Sequence, residues 1–222
     1  MGTNGQKLVV AVIAIIVIIW LVNIFNDEFK TKGEMQQSAQ AEKLDSWKKE
    51  TLTEQNVKNA LAIETDVTNA ALEDLSYVNS ITKITIADDL NGLGKKDILI
   101  YYTVNSSWDE THFVKTAGRV AIAACSTLFQ NPDVNSVSML AETKVIDQNE
   151  KSSLDTGVQI DIGQATAAKI DWQKTADRSG SYPGDIYGIA DRYYIHPEIM
   201  RNVKTDEVTQ EIVKEQTNAK EY

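Results

Sequence analysis

The stretch DILIYYTVNSSWDETHFVKTAGRVAIAACSTL, Asp97 to Leu128, changes its period halfway along. Asp97 to Val104 (DILIYYTV) is rich in β-branched and aromatic residues, the composition of a strand. From Phe113 onward, Ala117, Val120, Ala121, Ala124 and Leu128 recur at the spacing that lays one apolar stripe along a helix. Asp109 carries an N-cap side chain, and Asn131-Pro132 stops the helix because proline disfavours the α region for the residue before it.

The same reading extends outward in both directions. Ile81 to Ala87 (ITKITIA) is a second strand, and the turn chemistry of Asp88-Asp89-Leu90-Asn91-Gly92-Leu93-Gly94 joins it to Asp97–Val104 as a β-hairpin. Downstream, Val137 to Ile146 (VSMLAETKVI) and Gly157 to Ile162 (GVQIDI) form a second hairpin around the polar connection Asp147 to Thr156. Val57, Leu61, Val67, Ala71 and Leu75 supply a helix or a pair of short helices before the first hairpin. A short helix over Gln164–Lys169 and an aromatic-rich helix over Tyr182–Val203, interrupted at Pro197, follow the second. Strands in adjacent pairs favour an α+β fold over residues 54–204: an antiparallel sheet of about four strands, in two hairpins, with helices packed on one face. The tail 205–222 is charged, with Val208, Ile212 and Val213 as its apolar points, and reads as a solvated or frayed helix.

The N-terminal part has a different composition. After a short tail, residues 1–7, every residue from Leu8 to Val22 is apolar (LVVAVIAIIVIIWLV), and the run reaches Ile24 and Phe25. At about 1.5 Å per residue, residues 8–25 approach the roughly 30 Å hydrocarbon thickness of a bilayer. The run is apolar all round, with Leu8, Ile13, Ile16, Ile19 and Val22 distributed along it, whereas a core helix would keep a polar face. A cleavable signal would end in small residues, but Asn26-Asp27-Glu28-Phe29-Lys30 follows. These features point to an uncleaved transmembrane anchor, its partner the lipid bilayer, with Trp20 and Phe25 at the interface. Residues 26–53 read as a polar helical stalk on which Leu44, Trp47 and Leu52 are sparse apolar points; on one exposed face they would support self-association. Lys30 and Lys32 against Lys7 favour a cytoplasmic domain, but long domains translocate regardless of flanking charge. A short tail and one span is the signal-anchor layout, which places the domain outside the cytoplasm.

A formal net charge of −10, without a basic patch, argues against a nucleic-acid partner. Cys125 is the one cysteine, so an intramolecular disulfide and a multi-cysteine metal site are excluded, and its place on the apolar helix face marks it as core. No GxSxG, P-loop, HExxH or GxGxxG pattern occurs, and no cofactor is expected. The Asp88–Gly94 loop fails as an EF-hand: with Gly92 sixth, the first ligand would be Ala87 and the twelfth Ile98. His112 and His196 are too few for a three-histidine zinc site, and His112 lies in the first turn beside Asp109 and Glu110, so no metal is expected.

Ala190-Asp191-Arg192-Tyr193-Tyr194-Ile195-His196-Pro197-Glu198 concentrates aromatic, charged and imidazole groups more than any other stretch. Asp191, Arg192, Tyr193, Tyr194 and His196 are therefore the candidate ligand-binding residues, weighed against tyrosines and an arginine that simply pack across a sheet. An anchor, a stalk and an acidic domain without catalytic signatures fit a membrane-tethered interaction or sensory module, more readily than an enzyme. Two alternatives stand beside it: a membrane-anchored hydrolase using Asp147, Asp171 or Asp191 with His196, and a structural subunit of an envelope or secretion machine.

Overall fold

A computed structural model describes residues 37–72, 75–89, 94–104, 109–146, 152–182, 184–204 and 208. The expected span over 8–25, and all of the tail 205–222 except residue 208, lie outside them. Among the described residues no helix is long and apolar enough to cross a membrane. The chain divides into two compact units, Met1–Glu42 and Lys43–Tyr222. Of the first, residues 37–42 are described, and they are helical.

The second unit opens with helical residues 43–47 (α1), followed by α2 (Glu54–Leu61), α3 (Asp66–Ala71) and a 3-10 turn (Leu75–Ser80). Then come β1 (Ile81–Asp88), β2 (Lys96–Thr103), α4 (Glu110–Leu128), β3 (Val134–Ile146) and β4 (Ser152–Gly163). The last elements are α5 (Gln164–Ala167), α6 (Trp172–Ser179), α7 (Asp185–Ile189), β5 (Arg192–Ile195) and α8 (Pro197–Asn202). The strands form one sheet in the order β1-β2-β3-β4-β5. Both expected hairpins are present, as antiparallel β1–β2 and β3–β4 pairs.

The sheet is mixed rather than antiparallel, because β2 and β3 run parallel. Local signals predict hairpins but not how two hairpins join, and here α4 carries the chain back across the sheet, as a parallel connection requires. A fifth strand is also present: β5 occupies residues expected to be helical, between α7 and α8. Its tetrapeptide Arg-Tyr-Tyr-Ile sends alternate side chains to opposite faces, and its backbone pairs with Val158–Asp161 of β4.

Register sorts the sheet into two faces. Ile84, Ile100, Met139, Ile160 and Tyr193 form one cross-strand row on the core side, and Ile86, Ile98, Val137 and Ile162 form the next. Against this side lies α4, with Phe113, Val114, Ala117, Val120, Ala121, Ala124, Cys125 and Leu128 buried and Asp109 accepting from the His112 N–H at 2.8 Å. Trp47 and Leu52, read from the sequence as points on a spacer, are buried in this core, so they do not form an exposed stripe. The Trp47 Nε1–H donates to the Thr127 carbonyl at 2.9 Å, and the Asn131 Nδ2 donates to the carbonyls of Trp47 and Glu50 at 2.8 and 2.9 Å. An indole that finds its hydrogen bond inside the core can be buried at little cost. Val208 is buried in the same core.

The β3–β4 ladder shifts register between Ala141 and Glu142, and Gly157 is the additional residue on β4, since Ala141 pairs Val158 and Glu142 pairs Thr156. A Cβ on Gly157 would sit 2.7 Å from both Ile199 Cδ1 and Phe113 Cε1. Because those side chains are themselves buried, room is made only by displacing them. Gly157→Ala is therefore expected to lower the unfolding free energy by about 1–3 kcal/mol, measured by denaturant unfolding; an unchanged midpoint would contradict this packing.

Candidate functional site

The residues concentrated around β5 divide: Tyr194 and His196 meet edge to face at 6.5 Å, whereas Asp191 and Tyr193 are engaged elsewhere. The Asp191 carboxylate accepts from the Gly163 N–H at 2.6 Å and from the Thr166 hydroxyl, so it caps the start of α5, whose N-cap glycine has no side chain to do so. His196 is the N-cap of α8, its Nδ1 accepting from the Glu198 N–H at 3.2 Å. Tyr193 turns toward the core and meets Tyr187 edge to face at 5.4 Å, and the Tyr187 hydroxyl donates to the Val114 carbonyl at 2.6 Å. Arg192 and Tyr194, one residue to either side, point to the opposite face of the sheet.

That opposite face is where the described chemistry gathers. One cross-strand row reads Lys83, Tyr101, Leu140, Gln159 and Tyr194, and the next reads Thr85, Leu99, Ser138, Asp161 and Arg192. Leu99, Tyr101, Leu140 and Tyr194 lie outside the core cluster, and Tyr194 is 45% exposed. The Lys83 ammonium sits over the Tyr101 ring at 5.3 Å. Asp161, largely shielded, accepts from Gln159 Nε2 at 2.9 and 3.1 Å and pairs with Arg192 Nη2 at 3.2 Å. Because the Arg192 side chain is 80% exposed, this pair contributes little stability. The pair tethers the exposed guanidinium to the Asp161 side of the sheet. Burial first, and the nearby Asp155 second, raise the Tyr194 phenol pKa, so it stays a neutral donor and acceptor.

The residues of the hydrolase alternative are engaged elsewhere. Asp171 caps α6, accepting from the Lys174 N–H at 3.1 Å; Asp191 and His196 cap α5 and α8; and Asp147 lies outside the described residues. Burial pushes the Cys125 thiol far up, which leaves it a core side chain rather than a nucleophile. Among the described residues no group of three His, Cys, Asp or Glu side chains could hold a metal ion. A shallow cleft of about 400 Å³ borders Trp47, Asn56, Asn59 and Ile63, and another of about 440 Å³ borders Thr166, Asp171 and Ile189. Neither is lined by Arg192, Tyr194 or His196.

Lys83, Tyr101, Leu140 and Gln159 were absent from the sequence-derived candidates. The alternation within DILIYYTV and VSMLAETKVI separates Tyr101 from Tyr102 and Leu140 from Ala141, but which strands lie side by side is set by tertiary pairing.

If Asp191 is a cap, Asp191→Ala should cost about 0.5–2 kcal/mol of stability, seen in thermal unfolding. An unchanged unfolding midpoint would remove that role. Comparison with protein-family models, with curated proteins and with solved structures finds no match to this chain, so its chemistry is read from the geometry alone.

Proposed function

We infer that the chain is a single-pass, membrane-anchored protein whose folded unit is a non-catalytic interaction or sensory module outside the cytoplasm, and that it contacts its partner through the open sheet face. The apolar run from Leu8 to Val22 supports the anchor, and the signal-anchor layout supports the exported side. The observation that carries the interaction role is the row Lys83–Tyr101–Leu140–Gln159–Tyr194, which lies on the face away from the core cluster, with Lys83 and Tyr194 exposed at its ends and Leu140 buried between them. Aromatic rings with polar tips, an aliphatic centre and a flanking arginine are the composition of protein contact surfaces. The hydrolase reading loses its support because its described carboxylates and histidine are helix caps.

The test is photocrosslinking in intact cells. A photoreactive phenylalanine analogue at Tyr101 should give a discrete adduct in the membrane fraction, and the same group at the 56% exposed Tyr182 should not. Identical patterns from both positions, or recovery of the chain in the soluble fraction, would overturn the proposal.

A further inference from the structure

The open sheet face carries charges of both signs, and burial sorts them. Alternation along β3 from Leu140 places Glu142 and Lys144 on this face, so Lys144 joins Lys83 and Arg192 there. All three of these cations are exposed. The carboxylates on the described strands of the same face, Asp97, Glu142 and Asp161, are half-buried, and each accepts a hydrogen bond. The Ser136 hydroxyl donates to Asp97 at 2.6 Å, the Thr82 hydroxyl donates to Glu142 at 2.7 Å, and Gln159 and Arg192 hold Asp161. Asp155, near Tyr194, belongs to the other side of β4, since it pairs with Thr143. A chain of formal net charge −10 therefore turns ammonium and guanidinium groups outward on this face.

The cations stand around an apolar centre. Tyr101 lies beside Leu140 on one side, and Tyr194 follows beyond Gln159 on the other. Lys83 lies on β1 and Arg192 on β5, the two outer strands of the sheet, and Lys144 lies farther along β3 opposite the exposed Leu154. We propose that the partner presents an acidic amphipathic segment to this face. Its apolar side chains meet Tyr101, Leu140 and Tyr194, and its Asp or Glu side chains meet Lys83, Lys144 and Arg192. The proposal rests on the open face being the contact surface and adds the chemistry of what that surface takes.

Charge complementarity selects this occupant. The negative field of the whole chain disfavours an acidic partner elsewhere, and the outward cations favour it on this face, which steers the encounter and fixes the register of docking. The aromatic and aliphatic centre then supplies affinity that rim charges do not. An anionic bilayer surface is the other polyanion with apolar matter behind it. Its headgroups form a continuous layer, which would set phosphates against Asp97, Glu142 and Asp161 together. A peptide segment can place its carboxylates at the cations alone. Leu140, 7% exposed and set between longer side chains, also suits an inserted side chain better than a flat lipid surface.

The test combines the photoreactive phenylalanine at Tyr101, in the full chain in intact cells, with charge reversal on a different strand. Lys144→Glu and Arg192→Glu should each lower the yield of the protein adduct about fivefold or more. Lys144→Arg and Arg192→Lys should keep it, as should Lys58→Glu on α2, an exposed site that makes the same change in net charge. Circular dichroism of the purified variants checks folding. Should Arg192→Glu unfold because it sets a carboxylate beside Asp161, Lys144→Glu decides. The partner peptide joined to position 101, read by tandem mass spectrometry, should carry Asp or Glu beside its apolar residues. A protein adduct indifferent to Lys144→Glu, a joined peptide rich in Lys and Arg, or an adduct to lipid or to a second copy of the chain would overturn this proposal while leaving the open face as a contact surface. Absence of any adduct at Tyr101 would overturn both.

Discussion

The burial of α4 is the constraint from which the rest of the domain follows. Fourteen of its nineteen residues are buried, more than one amphipathic face can supply, so the helix must be covered on both sides. The sheet covers one side through β3 and β4, and α2, α3, α6, α7 and α8 cover the other. All of these helices thereby pack against α4. Alanines at 117, 121, 123 and 124 keep the helix narrow where the layers meet. The parallel placement of β2 beside β3 is the same constraint in another form, because the chain must traverse the sheet to bury α4.

Once the helices lie on one side, the polar groups near β5 acquire structural duties. Short helices such as α5 and α8 expose unpaired N–H groups at their starts, and Asp191 and His196 satisfy them. The segment after α1 is fixed by the same economy, with Asn131 closing the carbonyls of Trp47 and Glu50. What remains free of such duties is on the far side of the sheet, where Tyr101, Tyr194 and Arg192 meet solvent around a shielded Leu140. The division of labour is between faces of one sheet, not between regions of sequence.

This explains which features the sequence made legible. The period of Phe113–Leu128 and the Asp109 cap locate α4, and β-branched runs around turn residues locate both hairpins, because each is a local preference. β5 was hidden because Arg-Tyr-Tyr-Ile is too short to show a period and lies between two helical segments. Trp47 looked like a stalk residue because its partners, Thr127 and Asn131, are about eighty positions away. The density of side chains at 191–196 does not translate into one site, because alternation along β5 sends Tyr193 and Tyr194 to opposite faces. The rest of the open face is assembled by register between distant strands, which no local pattern encodes.

Adjacent tyrosines make the central claim, a sheet with one covered and one open face, directly measurable. Tyr101 is half-buried on the open face, whereas Tyr102 is 1% exposed on the covered face. Hydroxyl-radical footprinting of the native full chain, resolved residue by residue, should modify Tyr101 faster than Tyr102 and Tyr194 faster than Tyr193. Equal or reversed rates at either pair would contradict the assignment of the two faces.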